Sequence, residues 1–533
     1  MAFRVLVTDK LDKEGIDILK SYKEIEVIEK ETMKGDELKN SLKGFDAVII
    51  RSETKMTREV IEASVGLKII SRAGVGVDNV DVAAATEKGI IVVNAPLGNT
   101  ISTAEYSFAM MIALARKIPF AFASIKRDGV WDRKSFKGVE LLNKTLGVIG
   151  LGRIGTEVGK RAKAFGMKVL GFDPFVSAEL AEKLGFEIST LERIYKESDF
   201  ITVHSPLTEQ TKNMIGKAQI ASMKKSVRII NCARGGIINE QDLADALKEG
   251  RIAGAAVDVY TREPCFEPRN PLLDAPNLVL APHLGASTSE AQFNVAVESA
   301  EGVANFLLHG MIVNSVNMPS INKEIFEQLK GYISLSEKLG TLISQGISGQ
   351  IEEVRIVISG NEITERDLSI LTRAALKGLF SSFLGDTVNY VNSTQTARSR
   401  GIRVIEEKLD NDTEYTNLIR LTVKSDQETM ELWGTVYGGT RGKIVNFNGY
   451  FFEVDPTGTI VMINNEDKPG VIGKVGTIMG EHGINIASMN VSRKLEKQHA
   501  LILLNVDADV SPQVQLELNG IKEILKYKIV KLG

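Results

Sequence analysis

Cysteine is nearly absent. Cys232 and Cys265 are the only two in 533 residues, too few for a disulfide framework or a Cys-rich zinc or iron–sulfur site. The five histidines (His204, His283, His309, His482 and His499) include no HExxH pair, so no metal centre is expected. Thirteen prolines and no low-complexity tract leave little chain for flexible linkers. Neither sign of charge dominates: the net charge is −3, which argues against nucleic acid or an anionic membrane as a partner. No apolar run approaches the roughly 20 residues of a membrane span. No signal or transit segment precedes the first strand-like stretch, Arg4–Thr8. The expectation is a cytoplasmic, soluble protein of three or four domains, at roughly 150 residues each.

The first hundred residues alternate strand-like runs (Arg4–Thr8, Ala47–Arg51, Leu67–Ser71, Ile90–Asn94) with helical ones such as Glu14–Ser21. That rhythm implies βαβ units and a parallel sheet. Residues 102–125 read as one long buried helix opened by the capping-box pattern Ser102-Thr103-Ala104-Glu105. Six strands follow at Thr145–Ile149, Lys168–Phe172, Phe200–Val203, Arg228–Asn231, Gly254–Val257 and Leu278–Ala281, the pattern of a doubly wound, Rossmann-type domain. A helix is expected over 289–309 and a linker over 311–320. Residues 322–457 mix helices (Ile325–Gln345, Asp367–Leu384) with strands (Val354–Ser359, Asn417–Val423). From Thr459 a β-α-β-β-α-β order is ferredoxin-like.

The strongest chemical signal is Gly150-Leu151-Gly152-Arg153-Ile154-Gly155. It follows a strand and opens a helix, and Asp173 closes the next strand. The glycines permit a tight turn and close approach to a pyrophosphate, and the helix N-terminus favours its charge. Asp173 supplies an acceptor for ribose hydroxyls and repels a 2′-phosphate, so NAD is expected rather than NADP. Arg234, Glu263 and His283 each follow a sheet strand. Alone, His283 is more readily a packed or capping histidine, and Glu263 and Arg234 surface ion-pair residues. Together at one sheet edge they suggest an anion clamp, an acid and a base. Cys232 and His204 read as structural. The stretch Gly438-Gly439-Thr440-Arg441-Gly442-Lys443 lacks P-loop spacing and is not one.

GLGRIG, NCARGG, DVYTREP and APHLGAST, with IIRSET and SRAGVGVDNVD earlier in the chain, resemble the D-isomer-specific 2-hydroxyacid dehydrogenase family, and the chain is similar to its long-form members from end to end. The resemblance implies a substrate-binding, flavodoxin-like domain over 1–97 and 284–316 with an inserted NAD-binding Rossmann domain over 98–283. An α+β intervening domain over 317–457 and an ACT domain over 458–533 would follow. It implies NAD-dependent oxidation of 3-phospho-D-glycerate to 3-phosphohydroxypyruvate, the first step of L-serine synthesis. His283 would be the base, Glu263 its orienting partner and Arg234 the carboxylate clamp. Implied cofactor contacts are Gly150, Gly152, Arg153, Ile154, Gly155, Asp173, Ser205, Cys232, Ala233, Arg234, Asp258, His283, Gly285 and Ala286. Arg51, Ser52, Arg72 and Gly74 would face 3-phosphoglycerate and its phosphate. A homo-oligomer, dimer or tetramer, is expected.

The tail, with Asn465-Glu466-Asp467-Lys468-Pro469-Gly470 and Gly483-Ile484-Asn485-Ile486-Ala487, resembles an ACT domain. That implies Asn465, Asp467 and Asn485 as contacts for an L-serine effector, with a purely assembling role as the other reading. Arg398, Arg400, Arg441 and Lys443 form either an anion site or a solvated basic face. Two rival functions stay open: another D-2-hydroxyacid dehydrogenase, acting on glycerate or 2-hydroxyglutarate, and a silent NAD-sensing regulator.

Overall fold

The computed structural model describes residues 2–319, 323–360, 367–409, 414–494 and 498–532. Two compact units divide the chain. Met1–Leu11, Ile16–Asn94 and Ser299–Gly533 form one, and Asp12–Gly15 with Ala95–Glu298 the other. No single helix among the described residues is long and apolar enough to cross a membrane.

In the first unit, β1 (Phe3–Val7), β2 (Ile25–Glu29), β3 (Ala47–Ile50), β4 (Ile69–Arg72) and β5 (Ile91–Asn94) make a parallel sheet in the order β2-β1-β3-β4-β5. This is the flavodoxin-like order. The central strands read from sequence because both faces are covered and the runs are continuously apolar. The edge strand β2 exposes part of its length and was not expected.

The second unit carries β6 (Thr145–Ile149), β7 (Lys168–Phe172), β8 (Glu187–Ile188), β9 (Phe200–Val203), β10 (Arg228–Asn231), β11 (Gly254–Val257) and β12 (Leu278–Leu280). All run parallel in the order β12-β11-β10-β9-β6-β7-β8. The order reverses between β6 and β9, which makes the carboxyl ends there a ligand crevice. One expectation fails: residues 102–125 are not one helix. Helices Thr100–Ala115 and Ile118–Lys126 meet at a 65° bend. Lys117 turns left-handed (φ 54) and Pro119 follows in the new first turn, where its missing N–H is harmless. The second helix is not buried either, since Ile118, Phe122 and Ile125 lie exposed.

Back in the first unit, β13 (Ile351–Gly360), β14 (Arg403–Leu409), β15 (Asn417–Ser425), β16 (Thr429–Tyr437), β17 (Arg441–Phe447) and β18 (Tyr450–Val454) form a mixed sheet, β14-β13-β15-β16-β17-β18. The glycine-rich stretch is the β16–β17 hairpin, where Gly438 and Gly439 take positive φ. Arg398 and Arg400 lie at the helix beside the β14 edge, whereas Arg441 and Lys443 lie on β17, across three intervening strands. They form no common anion site, and Lys443 Nζ pairs with Asp455 at 2.8 Å.

The C-terminal strands β19 (Gly458–Glu466), β20 (Ile486–Lys494), β21 (His499–Val506) and β22 (Ile524–Leu532) give the order β20-β21-β19-β22 with two helices, the expected ferredoxin-like sandwich. Alternation on β19 serves two cores. Val461 and Ile463 pack with Val475, Met479 and Leu518 beneath the helices. Ile460 and Met462 face an apolar pocket shared with Leu342, Leu432, Ile444 and Phe447 of the preceding domain. Gln345 seals the joint, donating to Lys531 O at 2.9 Å and accepting from Lys531 N at 3.0 Å.

Candidate active site

The residues singled out in the second unit's sequence sit on loops that leave the carboxyl ends of its strands. The Gly-rich loop follows β6. Gly150 needs its positive φ of 93°, and its N–H donates to Phe172 O at 2.8 Å. A Cβ on Gly155 would overlap the Gly150 carbonyl, so only glycine lets the helix Arg153–Ala164 start so close to the turn. A Cβ on Gly152 would meet nothing within 4 Å: this glycine faces open space, as a surface awaiting a pyrophosphate must. Ile154 packs half-buried on the core and Arg153 stays exposed. Ser205, after β9, abuts the turn at Gly150.

Asp173 follows β7 directly, and both its oxygens are engaged. Oδ2 accepts from Leu151 N and Oδ1 from Phe175 N, each at 2.9 Å. The carboxylate therefore also fastens the Gly-rich loop, beyond its expected contact with ribose. The donor set suits NAD: free helix amides, an open glycine and an acidic acceptor. Asp173→Ala is expected to raise KM for NAD about tenfold and to erode discrimination against NADP. Steady-state kinetics with both cofactors checks this, and an unmutated enzyme that used them equally would remove the assignment.

The three reactive residues follow β10, β11 and β12. His283 Nδ1 meets Glu263 Oε2 at 2.8 Å; with a carboxylate as acceptor, Nδ1–H donates and Nε2 is left as the free base. His283 sits in the left-handed region at φ 57, a strained conformation found where geometry serves function. Burial alone would raise the Glu263 carboxyl. The His283 hydrogen bond and charge, the Tyr260 amide and the Arg234 charge together hold it below the ordinary carboxylate range. Arg234 belongs to the same electrostatic group, and its Nη1 donates to Ala233 O at 2.7 Å. Ala233 N in turn donates to Asn231 Oδ1 at 3.1 Å.

Asp258 is fully buried, and burial raises its pKa against the amides it holds. Its Oδ1 accepts from Leu284 N at 2.8 Å and its Oδ2 from Gly285 N at 2.9 Å, so it builds the turn that carries His283 and Ala286. Burial, with the Asp258 charge beside it, pushes the Cys232 thiol up to about 12. That thiol is no nucleophile. His204, held down to about 4 by desolvation, stays neutral with Nε2 2.9 Å from Thr202 Oγ1. Neither environment is that of a nucleophile or a general base. Sequence reasoning missed Ser102, whose hydroxyl donates to Gly285 O at 2.8 Å, and Tyr106, whose phenol is pushed up by burial and by the nearby Asp258 charge. The helix begins at Thr100 with Asn99 as its cap, so Ser102 caps nothing. Glu105 pairs instead with Arg161 at 3.3 Å.

In the first unit, Arg51 and Arg72 lie at the carboxyl edge of β3 and β4. Asp9 accepts from Arg51 N at 2.8 Å and Asn79 donates to Arg51 O at 2.6 Å, fixing the loop that bears exposed Ser52. A Cβ on Gly74 would overlap the Arg72 guanidinium. In the C-terminal domain, Asn465 and Asp467 sit together at one end of the sheet. Asn465 is buried on β19, donating to Glu466 O, and Asp467 pairs with Arg493 at 3.4 Å. Asn485 lies at the other end, where Ile486 pairs with Val506 and Val506 with Thr459. It donates to Asp507 Oδ2 at 2.6 Å. Seven residues of strand, about 23 Å, separate these groups within one chain.

Residues 108–285 match the family model described as D-isomer specific 2-hydroxyacid dehydrogenase, NAD binding domain. Residues 328–448 match the D-3-phosphoglycerate dehydrogenase intervening domain, and 459–523 the ACT domain. The chain is 45% identical over 530 residues to the D-3-phosphoglycerate dehydrogenase of Methanocaldococcus jannaschii, covering 99% of this chain and 100% of that one. The Bacillus subtilis enzyme of the same name is 42% identical, again with 99% and 100% covered. Among solved structures, the Aquifex aeolicus D-lactate dehydrogenase, complexed with NAD and lactic acid, superposes with a TM-score of 0.52 at 28% identity. It covers 59% of this chain and 100% of that one. With the catalytic loops, the intervening domain and the ACT domain all matched in order, the chain belongs to the D-3-phosphoglycerate dehydrogenases of the D-isomer-specific 2-hydroxyacid dehydrogenase family.

Proposed function

We propose that the chain oxidises 3-phospho-D-glycerate to 3-phosphohydroxypyruvate with NAD, opening the route to L-serine. The observation that carries the chemistry is the 2.8 Å His283–Glu263 pair beside the Arg234 charge, on the edge that also bears the Gly-rich turn. NAD, when bound, accepts the hydride that leaves C2. His283 Nε2 takes the C2 hydroxyl proton, Glu263 stabilises the resulting imidazolium, and Arg234 holds the substrate carboxylate. Arg51 and Arg72 supply cationic donors for the phosphate. One NADH formed per 3-phosphohydroxypyruvate, followed by absorbance and phosphorus NMR, is the expected result. Preferential use of 2-hydroxyglutarate would assign the site to a different 2-hydroxy acid.

The assignment of regulation to the C-terminal domain is likewise ours. L-serine would bridge Asp467 and Asn465 of one copy and Asn485 of a second, because one chain holds these groups at opposite ends of its sheet. The apolar joint at Ile460 and Met462 changes how this is tested. Cutting the chain before Thr459 would uncover Leu342, Leu432, Ile444 and Phe447, and that fragment is expected to aggregate. A fragment of residues 1–319 corresponds to about the whole length of the shorter dehydrogenase. It is expected to keep turnover and to ignore serine; inhibition of it by serine would place the effector site elsewhere.

Oligomerisation is proposed from the second unit, where Phe122 and Trp131 are 64% and 80% exposed beside Ile118 and Ile125. Such a patch suits burial against a second copy. A cytoplasmic setting suits the two unpaired cysteines.

A further inference from the structure

Serine and threonine hydroxyls inside helices usually bond the carbonyl one turn back. Ser107 (to Thr103 O), Thr86 (to Val82 O) and Thr341 (to Glu337 O) do so here. Ser102 does not. Its hydroxyl crosses to Gly285 O at 2.8 Å, 183 residues along the chain.

The acceptor it meets is the far end of a fully gripped turn. Asp258 holds three successive amides: His283 N through its main-chain oxygen at 2.9 Å, and Leu284 N and Gly285 N through its carboxylate. Tyr106, one helical turn after Ser102, lies near that same carboxylate, whose charge adds to burial in pushing its phenol up. The space a Gly285 Cβ would need is bounded at 3.4 Å by Thr103 Cγ2 and by Asp258 Oδ2. The Gly285 peptide is thus pinned by its N–H on one side and its carbonyl on the other. The turn so pinned carries His283 at φ 57 with its Nδ1 2.8 Å from Glu263 Oε2.

We propose that Ser102 is a positioning residue for His283: by holding the Gly285 carbonyl it maintains the left-handed turn that aims Nε2 and preserves the Glu263 pairing. The proposal rests on His283 being the base. In this role Ser102 acts only through the Gly285 carbonyl it holds. Its loss acts on turnover rather than on binding, since misplacement of a reactive group costs rate even when the substrate still binds.

The test uses the full-length enzyme with Ser102→Ala, Ser102→Thr and His283→Asn. Ser102→Ala is expected to lower kcat by about tenfold or more, with KM for NAD and the melting temperature little changed. Loosened pairing with Glu263 should also alter the pH profile of the oxidation rate. Ser102→Thr keeps the hydroxyl and should recover most of the rate and the original pH profile. Full turnover with an unmoved profile in Ser102→Ala would overturn the proposal. So would equal losses in the alanine and threonine variants. An active His283→Asn would instead overturn the reading of the base itself, which separates the two failures.

Discussion

His283→Asn is expected to bind NADH normally and to lose about 10²-fold or more in kcat, the usual effect of removing a general base. The asparagine can still reach Glu263 but offers nothing at the Nε2 position to take a proton. Fluorescence titration with NADH and steady-state kinetics separate the two effects. Glu263→Gln is the milder companion. The carboxylate sits below its ordinary range, against burial, because of the His283 hydrogen bond and charge. A neutral amide has no such charge to offer the base that takes the C2 hydroxyl proton, so the acid limb of the oxidation rate should move in the variant. An unmoved acid limb would detach Glu263 from the base.

The second large effect is expected at the substrate's phosphate. Charge-assisted hydrogen bonds contribute about 1.5–3 kcal/mol each, which is roughly tenfold to a hundredfold in affinity. Replacing Arg51 or Arg72 by alanine should therefore raise KM for 3-phosphoglycerate by that factor while changing KM for D-glycerate little. Arg51 is the cleaner test, because Asp9 and Asn79 fix its backbone whatever its side chain. Arg72 is packed against the glycine at 74, so its removal also loosens that turn. Equal losses for both substrates would end the phosphate assignment.

The parallel sheets were legible because strands buried on both faces read as unbroken apolar runs, and the edge strand Ile25–Glu29 escaped because only one of its five positions is buried. The loops after β6, β7 and β10–β12 were legible for a different reason. Chemistry at a strand's carboxyl end demands particular residues, so Gly150, Asp173, Arg234, Glu263 and His283 stood out. What supports them did not. Ser102 resembled a helix cap, since a Ser three residues before a Glu is the local signature of one. Only the tertiary approach of Gly285 gives its hydroxyl a different partner. The bend at Lys117 is a single left-handed residue inside an apolar run, with Pro119 as a weak herald. The hairpin at Gly438 hid two strands of the intervening sheet; Arg441 and Lys443 lie on one of them, whereas Arg398 and Arg400 sit at a helix beside the far edge strand β14. Ile460 and Met462 read simply as half of an alternating strand. That the other half of the alternation meets a second domain is a property of packing, which no local pattern records.

The most direct measurement is kcat/KM of the unmutated enzyme for 3-phosphoglycerate against D-glycerate, with NAD, followed as NADH absorbance. The account expects 3-phosphoglycerate to be favoured by about a hundredfold or more, as two charge-assisted contacts to the phosphate require. Equal values for the two acids, or no NADH from either, would contradict it.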